Sequence, residues 1–241
     1  MADKWFLVFG SMATLMPMNT DTEQRLRELQ TVFLTLNAEI NLSAFRTEDT
    51  CWNGNILDSL PFLDVLPTLG LSPALTLLDI GTGGGFPLLP LALQLPDAAL
   101  TGMDATQKKL KAIQQMVDEL GIKNVSLLTG RAEELGHKPT YREQFDVVTS
   151  RAVAELPVLL EFCSPFVKPT GYVVLWKSLQ IDQELASAKN ALKELMLHLI
   201  HTHQYELPGD FGKRQLLVFR KASKLPKKYP RGVGVPKKNP L

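Results

Sequence analysis

LLDIGTGGGFPLLP, Leu77 to Pro90, is the stretch on which the fold turns, because an apolar run meets a cluster of glycines and then a second apolar run. Leu75, Leu77, Leu78 and Ile80 read as a strand covered on both faces, the pattern of a central parallel strand. Gly81, Gly83, Gly84 and Gly85 let the backbone turn sharply where a Cβ would clash. A helix beginning near Phe86 then points unpaired N–H groups over that turn, so a nucleotide-like ligand can rest on the backbone.

Loops of this kind bind dinucleotides or S-adenosylmethionine. The dinucleotide fingerprint Gly-x-Gly-x-x-Gly requires glycine where this chain has Phe86. Asp79, two residues before Gly81, places a carboxylate where it suits the ammonium of a methionine moiety and suits a pyrophosphate poorly. The residues therefore favour S-adenosylmethionine as cofactor.

Outward from the loop, strand and helix alternate. Phe86 to Leu95 reads as the first core helix and Ala99 to Met103 as the second strand, ending at Asp104 about twenty residues beyond the glycines. A carboxylate at that position accepts the hydroxyls of a ribose, and the same side chain suits the start of the helix in TQKKLKAIQQMVDELG. Asn124 to Thr129 is the third strand, expected to end beside the first, so that the Ala132 amide and Glu133 edge an adenine ring. Phe145 to Thr149 is the fourth strand, from whose end Arg151 projects, either toward the ligand or into a surface salt bridge. Leu156 to Val167 is predicted helical, and Lys168-Pro169-Thr170-Gly171 a turn. Tyr172 to Trp176 is the fifth strand, with Lys177 at its end; Gln183 to Leu197 is a helix, and a closing hairpin follows. The fold class is α/β: a Rossmann-like, mostly parallel sheet with a closing antiparallel strand and helices on its faces.

A helical extension precedes this core. Thr20 and Glu23 form a capping box, and Leu26, Leu29, Phe33, Leu36 and Ile40 recur at three- and four-residue steps. A second apolar helix is predicted from about Ile56, and Pro61, Pro67, Gly70 and Pro73 punctuate the approach to the core. The expected organisation is residues 1–70 as a helical extension, 71–222 as the cofactor-binding core and 223–241 as a basic, proline-rich tail.

Composition narrows the class. The 241 residues are 45% hydrophobic and 21% charged, as in an ordinary globular protein. No apolar run is long enough to cross a bilayer, and the opening MADKWFLVFG is too short in apolar residues for a signal-peptide core. Met12, Met16 and Met18 leave the start open. Cys51 and Cys163 match neither a disulfide framework nor a metal pattern, which points to a reducing cytoplasm. The histidines of HLIHTH lack metal-like spacing and read as solvated strand residues, so no metal is expected. The formal net charge is +1, yet from Lys221 onward there are seven bases and no acid, leaving a net of −6 before it. Such a tail suits a polyanion, or merely solubilises, and is expected to be disordered without RNA.

Several motifs together resemble the ribosomal small-subunit methyltransferase G family, also called glucose-inhibited division protein B. They are LLDIGTGGGFP, the Asp104 strand end, GRAEEL from Gly130, FDVVTSRAVAELPVLLEF from Phe145, the KPTG turn, and the tail KKYPRGVGVPKKNPL from Lys227. NLSAF at Asn41 and NILDSL at Asn55 also fit. The resemblance implies methyl transfer from S-adenosylmethionine to N7 of a guanine in bacterial 16S rRNA, with the small ribosomal subunit as partner; nothing in the sequence demands a dimer, so a monomer is expected. It implies cofactor contacts at Gly81, Phe86, Asp104, Ala105, Thr106, Ala132, Glu133 and Arg151, to which the reading of the loop itself adds Asp79 and Gly83. Arg131, Lys177 and Arg214 match rRNA-binding positions, and Asn41 and Arg214 are the candidate catalytic residues. One departure stands out: Asn55 occupies the place of a family histidine.

The chemistry agrees with this resemblance. Guanine N7 has a lone pair and no proton, so its methylation needs positioning more than a base. No Pro-Cys pair and no Asn-Pro-Pro-Tyr block follows the fourth strand. Two other readings stay open at this point: a methyltransferase acting on a small molecule or protein, and a non-catalytic RNA-binding assembly factor.

Overall fold

The computed structural model describes residues 8–9, 19–151 and 154–241. Met12, Met16, Met18 and Ala152 lie outside them. Positions 8 and 9 form a short strand, β1 (Val8–Phe9). The described residues divide into two compact units, one of residues 19–131 and 207–212, the other of residues 8–9, 132–151, 154–206 and 213–241.

The first unit opens with α1 (Thr20–Ile40), capped by Asn19 rather than by Thr20: the Asn19 side chain accepts from Thr22 N at 2.8 Å, because Asn19 holds the extended backbone a cap requires. Leu26, Leu29, Phe33 and Leu36 form its buried stripe, and α1 packs on α4 (Leu88–Gln94) and α5 (Gln107–Glu119). Between α1 and the sheet, helical turns start earlier than Ile56. They comprise α2 (Glu48–Cys51), a π-helical turn at Trp52–Ile56, a 3-10 turn at Leu57–Ser59 and α3 (Pro61–Val65). α4 begins two residues later than the sequence suggested, since Pro87 serves as its cap.

Three parallel strands complete this unit: β2 (Thr76–Ile80), β3 (Ala99–Asp104) and β4 (Val125–Thr129). β3 lies between the other two. The third strand's end is therefore beside the second and not, as expected, beside the first. Leu77, Leu78 and Ile80 are buried, as a covered central strand requires.

In the second unit the strand order is β1-β7-β8-β6-β5, with β5 (Phe145–Arg151), β6 (Val167–Ser178), β7 (Leu197–Leu207) and β8 (Gly212–Lys221). β5 and β6 are parallel, and β8 runs antiparallel to β6, which makes it the antiparallel strand the alternation called for. Phe145 pairs with Val167 and Val147 with Tyr172, so Lys168 to Gly171 is looped out of the ladder. Gly171 is required there, since a Cβ would lie 2.7 Å from the Asp146 carbonyl oxygen. The helices are α6 (Ala132–Leu135), α7 (Leu156–Cys163), α8 (Asp182–Ser187), α9 (Lys189–Glu194) and α10 (Val235–Lys238). α7 stops earlier than the predicted Val167, and the helix predicted over Gln183 to Leu197 is two, joined at Ala188.

The tail is a correction of substance, because it is packed rather than disordered. Leu225 and Tyr229 are buried. The Arg142 guanidinium donates to the carbonyls of Gly136, Leu225, Pro226 and Tyr229 at 2.8–3.2 Å. Tyr229 Oη and Lys228 Nζ both donate to Glu194 Oε2, at 2.8 and 2.9 Å. Its cations and prolines build no core of their own. Lys221, Lys228 and Arg231 are held by acids on the rest of the unit and tail carbonyls accept from Arg142, which the tail's composition alone could not reveal.

Candidate functional site

In the first unit the glycine loop runs from the end of β2 to the start of α4. Gly81, Gly83 and Gly85 have φ of 71°, 58° and 92°, a left-handed backbone that favours glycine. Gly84 is needed for a different reason: a Cβ there would meet Phe33 at 3.0 Å and Leu42 at 3.3 Å. The loop is anchored to the end of β3, with Gly81 N and Thr82 N donating to the Met103 carbonyl at 2.8 and 3.0 Å.

Asp104 completes the anchor. Its Oδ2 accepts from Gly83 N at 3.1 Å and its Oδ1 from Thr106 N at 2.8 Å. The sequence offered two roles for this carboxylate, ribose contact and helix start. α5 takes Thr106 as its cap in place of Asp104, whose structural role is loop tether, and each Asp104 oxygen keeps a lone pair for a ligand. Asp79 is buried at the end of β2, whereas Ala105 and Thr106 are exposed. Phe86 turns its ring edge-on to Phe33, with centroids 4.8 Å apart, so it offers a ligand mainly backbone. The Thr82 hydroxyl is buried with no hydrogen-bond partner among the described residues. A hydroxyl left so is an unmet cost in the free protein and an available polar contact for a ligand.

Asn41, an exposed residue of this unit, caps α1 with φ of 60°. Arg46 donates to its Oδ1 at 2.6 Å, and the buried Asn37 side chain fixes the loop beyond it by bonding Ser43 and Phe45 backbone atoms. Arg131 is exposed. Asn55 is buried at 2% exposure in the π-helical turn, where Ser59 Oγ donates to its carbonyl. The position of the family histidine is thus an interior one in this chain.

In the second unit, Ala132 and Glu133 open α6 and both are buried. Glu133 Oε1 accepts from Gly234 N at 3.1 Å. Arg151 ends β5, half-buried. Lys177 Nζ is committed to Glu184 Oε2 at 2.6 Å and the Ala154 carbonyl at 3.2 Å, while Glu184 also accepts from Leu156 N, the first residue of α7. Arg214 is half-buried on β8, with no ion-pair partner among the described residues. His201 and His203 share one face of β7 with rings 6.3 Å apart and are half-buried, not the solvated side chains expected, and burial, then the neighbouring His203, pull His201 below its ordinary pKa. Among the described residues no three or more His, Cys, Asp or Glu side chains are grouped to hold a metal ion, and no helix is long and apolar enough to cross a membrane.

Sequence reasoning missed two buried ion pairs, both in this unit. Glu161, fully buried on α7, is clamped by Arg231. Lys221, fully buried at the end of β8, donates to Glu143 Oε1 at 2.7 Å and to the Ser164 and Val167 carbonyls at 2.9 Å. Burial holds Lys221 below the usual lysine range despite its partner. Glu143 also falls below its ordinary value: burial acts against this, but the bonds from Lys221 and Leu225 N outweigh it.

The fold is that of the S-adenosylmethionine-dependent methyltransferases. A SAM-dependent methyltransferase from Aquifex aeolicus aligns with a TM-score of 0.52 at 21% identity, over 69% of this chain and 92% of that one. TrmN from Thermus thermophilus aligns at 0.51 and 20%, over 68% of this chain and 48% of that one. A family model described as rRNA small subunit methyltransferase G matches residues 22–215. A protein of that name from Leuconostoc citreum is 41% identical over 226 residues, 92% of this chain and 93% of its own. Another from Carboxydothermus hydrogenoformans is 39% identical over 210 residues, 87% of this chain and 88% of its own. The chain belongs to the rRNA small subunit methyltransferase G family.

Proposed function

We infer that this chain is an enzyme that transfers a methyl group from S-adenosylmethionine to N7 of a guanine in 16S rRNA of the small ribosomal subunit. The observation that carries the reading is the Gly81–Gly85 loop, tethered to Asp104 within a chain that the family model matches over residues 22–215. The residues fit the cofactor. Asp104 keeps lone pairs for the ribose hydroxyls, Gly81 and Gly83 carry no Cβ to bar a close approach, and the Thr82 hydroxyl is available in the same loop. In this reading Asp79 meets the cofactor's ammonium and Ala105 and Thr106 its ribose and adenine, while the family pattern assigns Ala132, Glu133 and Arg151 to the adenine edge and a cation.

When bound, the cofactor supplies an electrophilic methyl on sulfur. This chain need not remove a proton, because guanine N7 attacks with its own lone pair as the carbon–sulfur bond breaks and its electrons go to sulfur. Its task is to extrude and hold the base and to exclude water. Arg131 and Arg214 bind rRNA phosphates, and Asn41, held by Arg46, sits beside the target base. Lys177 orders the start of α7 through Glu184, a commitment that leaves the rRNA contacts to Arg131 and Arg214. The enzyme acts as a cytoplasmic monomer.

Methyl transfer from labelled S-adenosylmethionine to small subunits from a strain lacking this protein tests the reading. Label in a single 16S rRNA guanine, mapped as N7-methylguanine, is the expected result. No transfer by protein that still binds the cofactor overturns it.

A further inference from the structure

The second unit holds a cavity that neither the cofactor nor the RNA assignments use. Its volume is about 760 Å³, within the roughly 300–1,000 Å³ range of small-molecule pockets. It lies where α9 gives way to β7, closed by the end of β8 and by Thr170 in the turn before Gly171. Leu192, Met196, Leu197, Leu199 and Ile200 make most of its wall apolar. Lys221 also lines it but brings no free charge, because its three ammonium donors are spent on Glu143 and on the Ser164 and Val167 carbonyls.

The rim is cationic. Lys193, in the last turn of α9, and Arg220, near the end of β8, are exposed lining residues, and neither has an ion-pair partner among the described residues. Glu194, beside Lys193 in the chain, already accepts from Lys228 and Tyr229. No acid lines the cavity among the described residues. Two lining residues hold a left-handed backbone that a Cβ disfavours: Thr170 at φ of 69° and Met196 at φ of 57°, the latter pinned by Ala222 N, which donates to its carbonyl at 2.8 Å. Non-glycine residues held in this way gather at ligand sites.

We propose that this cavity binds a monomeric amphipathic anion, an alkyl body carrying one carboxylate, with the body against Met196, Leu199 and Ile200 and the head group at Arg220 and Lys193. An apolar wall alone accepts any apolar molecule of the right size. Two cations with no facing acid select the sign of its head group. No residue of this wall is assigned to cofactor or RNA, so binding here is independent of methyl transfer.

Calorimetric titration of the full chain with decanoate and with decyltrimethylammonium, each below its micelle-forming concentration, tests this. Decanoate is expected to saturate a single site and to bind at least about fivefold more tightly than the cation. Octanoate, shorter by two methylenes, should bind about tenfold more weakly than decanoate. Arg220→Glu and Ala222→Trp change exposed positions, and circular dichroism confirms that each variant is folded. Arg220→Glu should lower decanoate affinity about tenfold and remove the preference for the anion. Ala222→Trp fills the mouth and should weaken both ligands at least about tenfold. No saturable decanoate binding, equal affinity for the two head groups, or an unchanged preference in Arg220→Glu overturns the proposal. Wild-type affinity in Ala222→Trp overturns it too, because the ligand then sits elsewhere. Sedimentation of the ligand-free chain is the last arm: a dimer that Ala222→Trp converts to monomer would make a second copy the occupant and overturn the small-molecule assignment.

Discussion

Replacing Asp104 with alanine removes the tether between the glycine loop and the end of β3. Two hydrogen bonds to a carboxylate are lost, from Gly83 N at 3.1 Å and Thr106 N at 2.8 Å. Bonds to charged groups contribute about 1.5–3 kcal/mol each, and the exposure of Thr106 puts its bond well below that range, so about 2 kcal/mol of loop order is lost. Loss of the ribose contacts costs a further ~2 kcal/mol. At 1.4 kcal/mol per decade, the Kd for S-adenosylmethionine rises roughly a thousandfold. Asp104→Asn keeps one acceptor oxygen and a similar shape, and is expected to weaken binding by a few tens-fold. Calorimetric titration of the cofactor in the absence of RNA measures both, with circular dichroism confirming that each variant is folded. An alanine variant that binds within about threefold of the wild type would refute the assignment of Asp104 to both loop and ribose.

Two further outcomes follow from other parts of the molecule. Glu143, held below its ordinary pKa of 4.5 by Lys221 and Leu225 N against the effect of burial, stabilises the fold fully above that value and loses its contribution as pH falls through the lower folded value. Urea unfolding between about pH 3 and pH 6 should therefore show stability falling toward acid. That slope should be shallower in Glu143→Gln, which is also less stable at neutral pH because Lys221 loses its counter-charge; an unchanged slope would refute the pairing. Arg131→Ala and Arg214→Ala should each lower methyl transfer to small subunits severalfold and reduce its salt dependence, with cofactor affinity unchanged. A loss of cofactor binding in either would contradict their assignment to RNA.

The loop and the strands flanking it were legible because their signals are local. Positive φ at Gly81, Gly83 and Gly85 is a property of a few consecutive residues, and the covered strand at Leu77 to Ile80 is written in its own side chains. Errors arose where a neighbour in space decided. Thr20 has the residue type of a cap, but Asn19 one position earlier holds the extended backbone. Lys177 ends a strand as a free cation would, yet Glu184 captures it. Asn55 reads as a substitution in a functional motif, and its burial in the π-helical turn is invisible without the fold.

By itself the sequence determined the alternation of strand and helix, the glycine loop, the carboxylate that ends β3 and the family to which the motifs belong. These are matters of backbone conformation and periodicity within short windows, where each residue's neighbours in the chain are also its neighbours in space. Tertiary structure alone decided what becomes of the charged tail. Arg231 meets Glu161 across 70 residues and Gly234 meets Glu133 across 101, and nothing in a run of lysines and prolines says which buried acids will receive it. A charge in isolation favours water or a polyanion. Only a folded acid, already desolvated and in need of a donor, turns it into an internal strap.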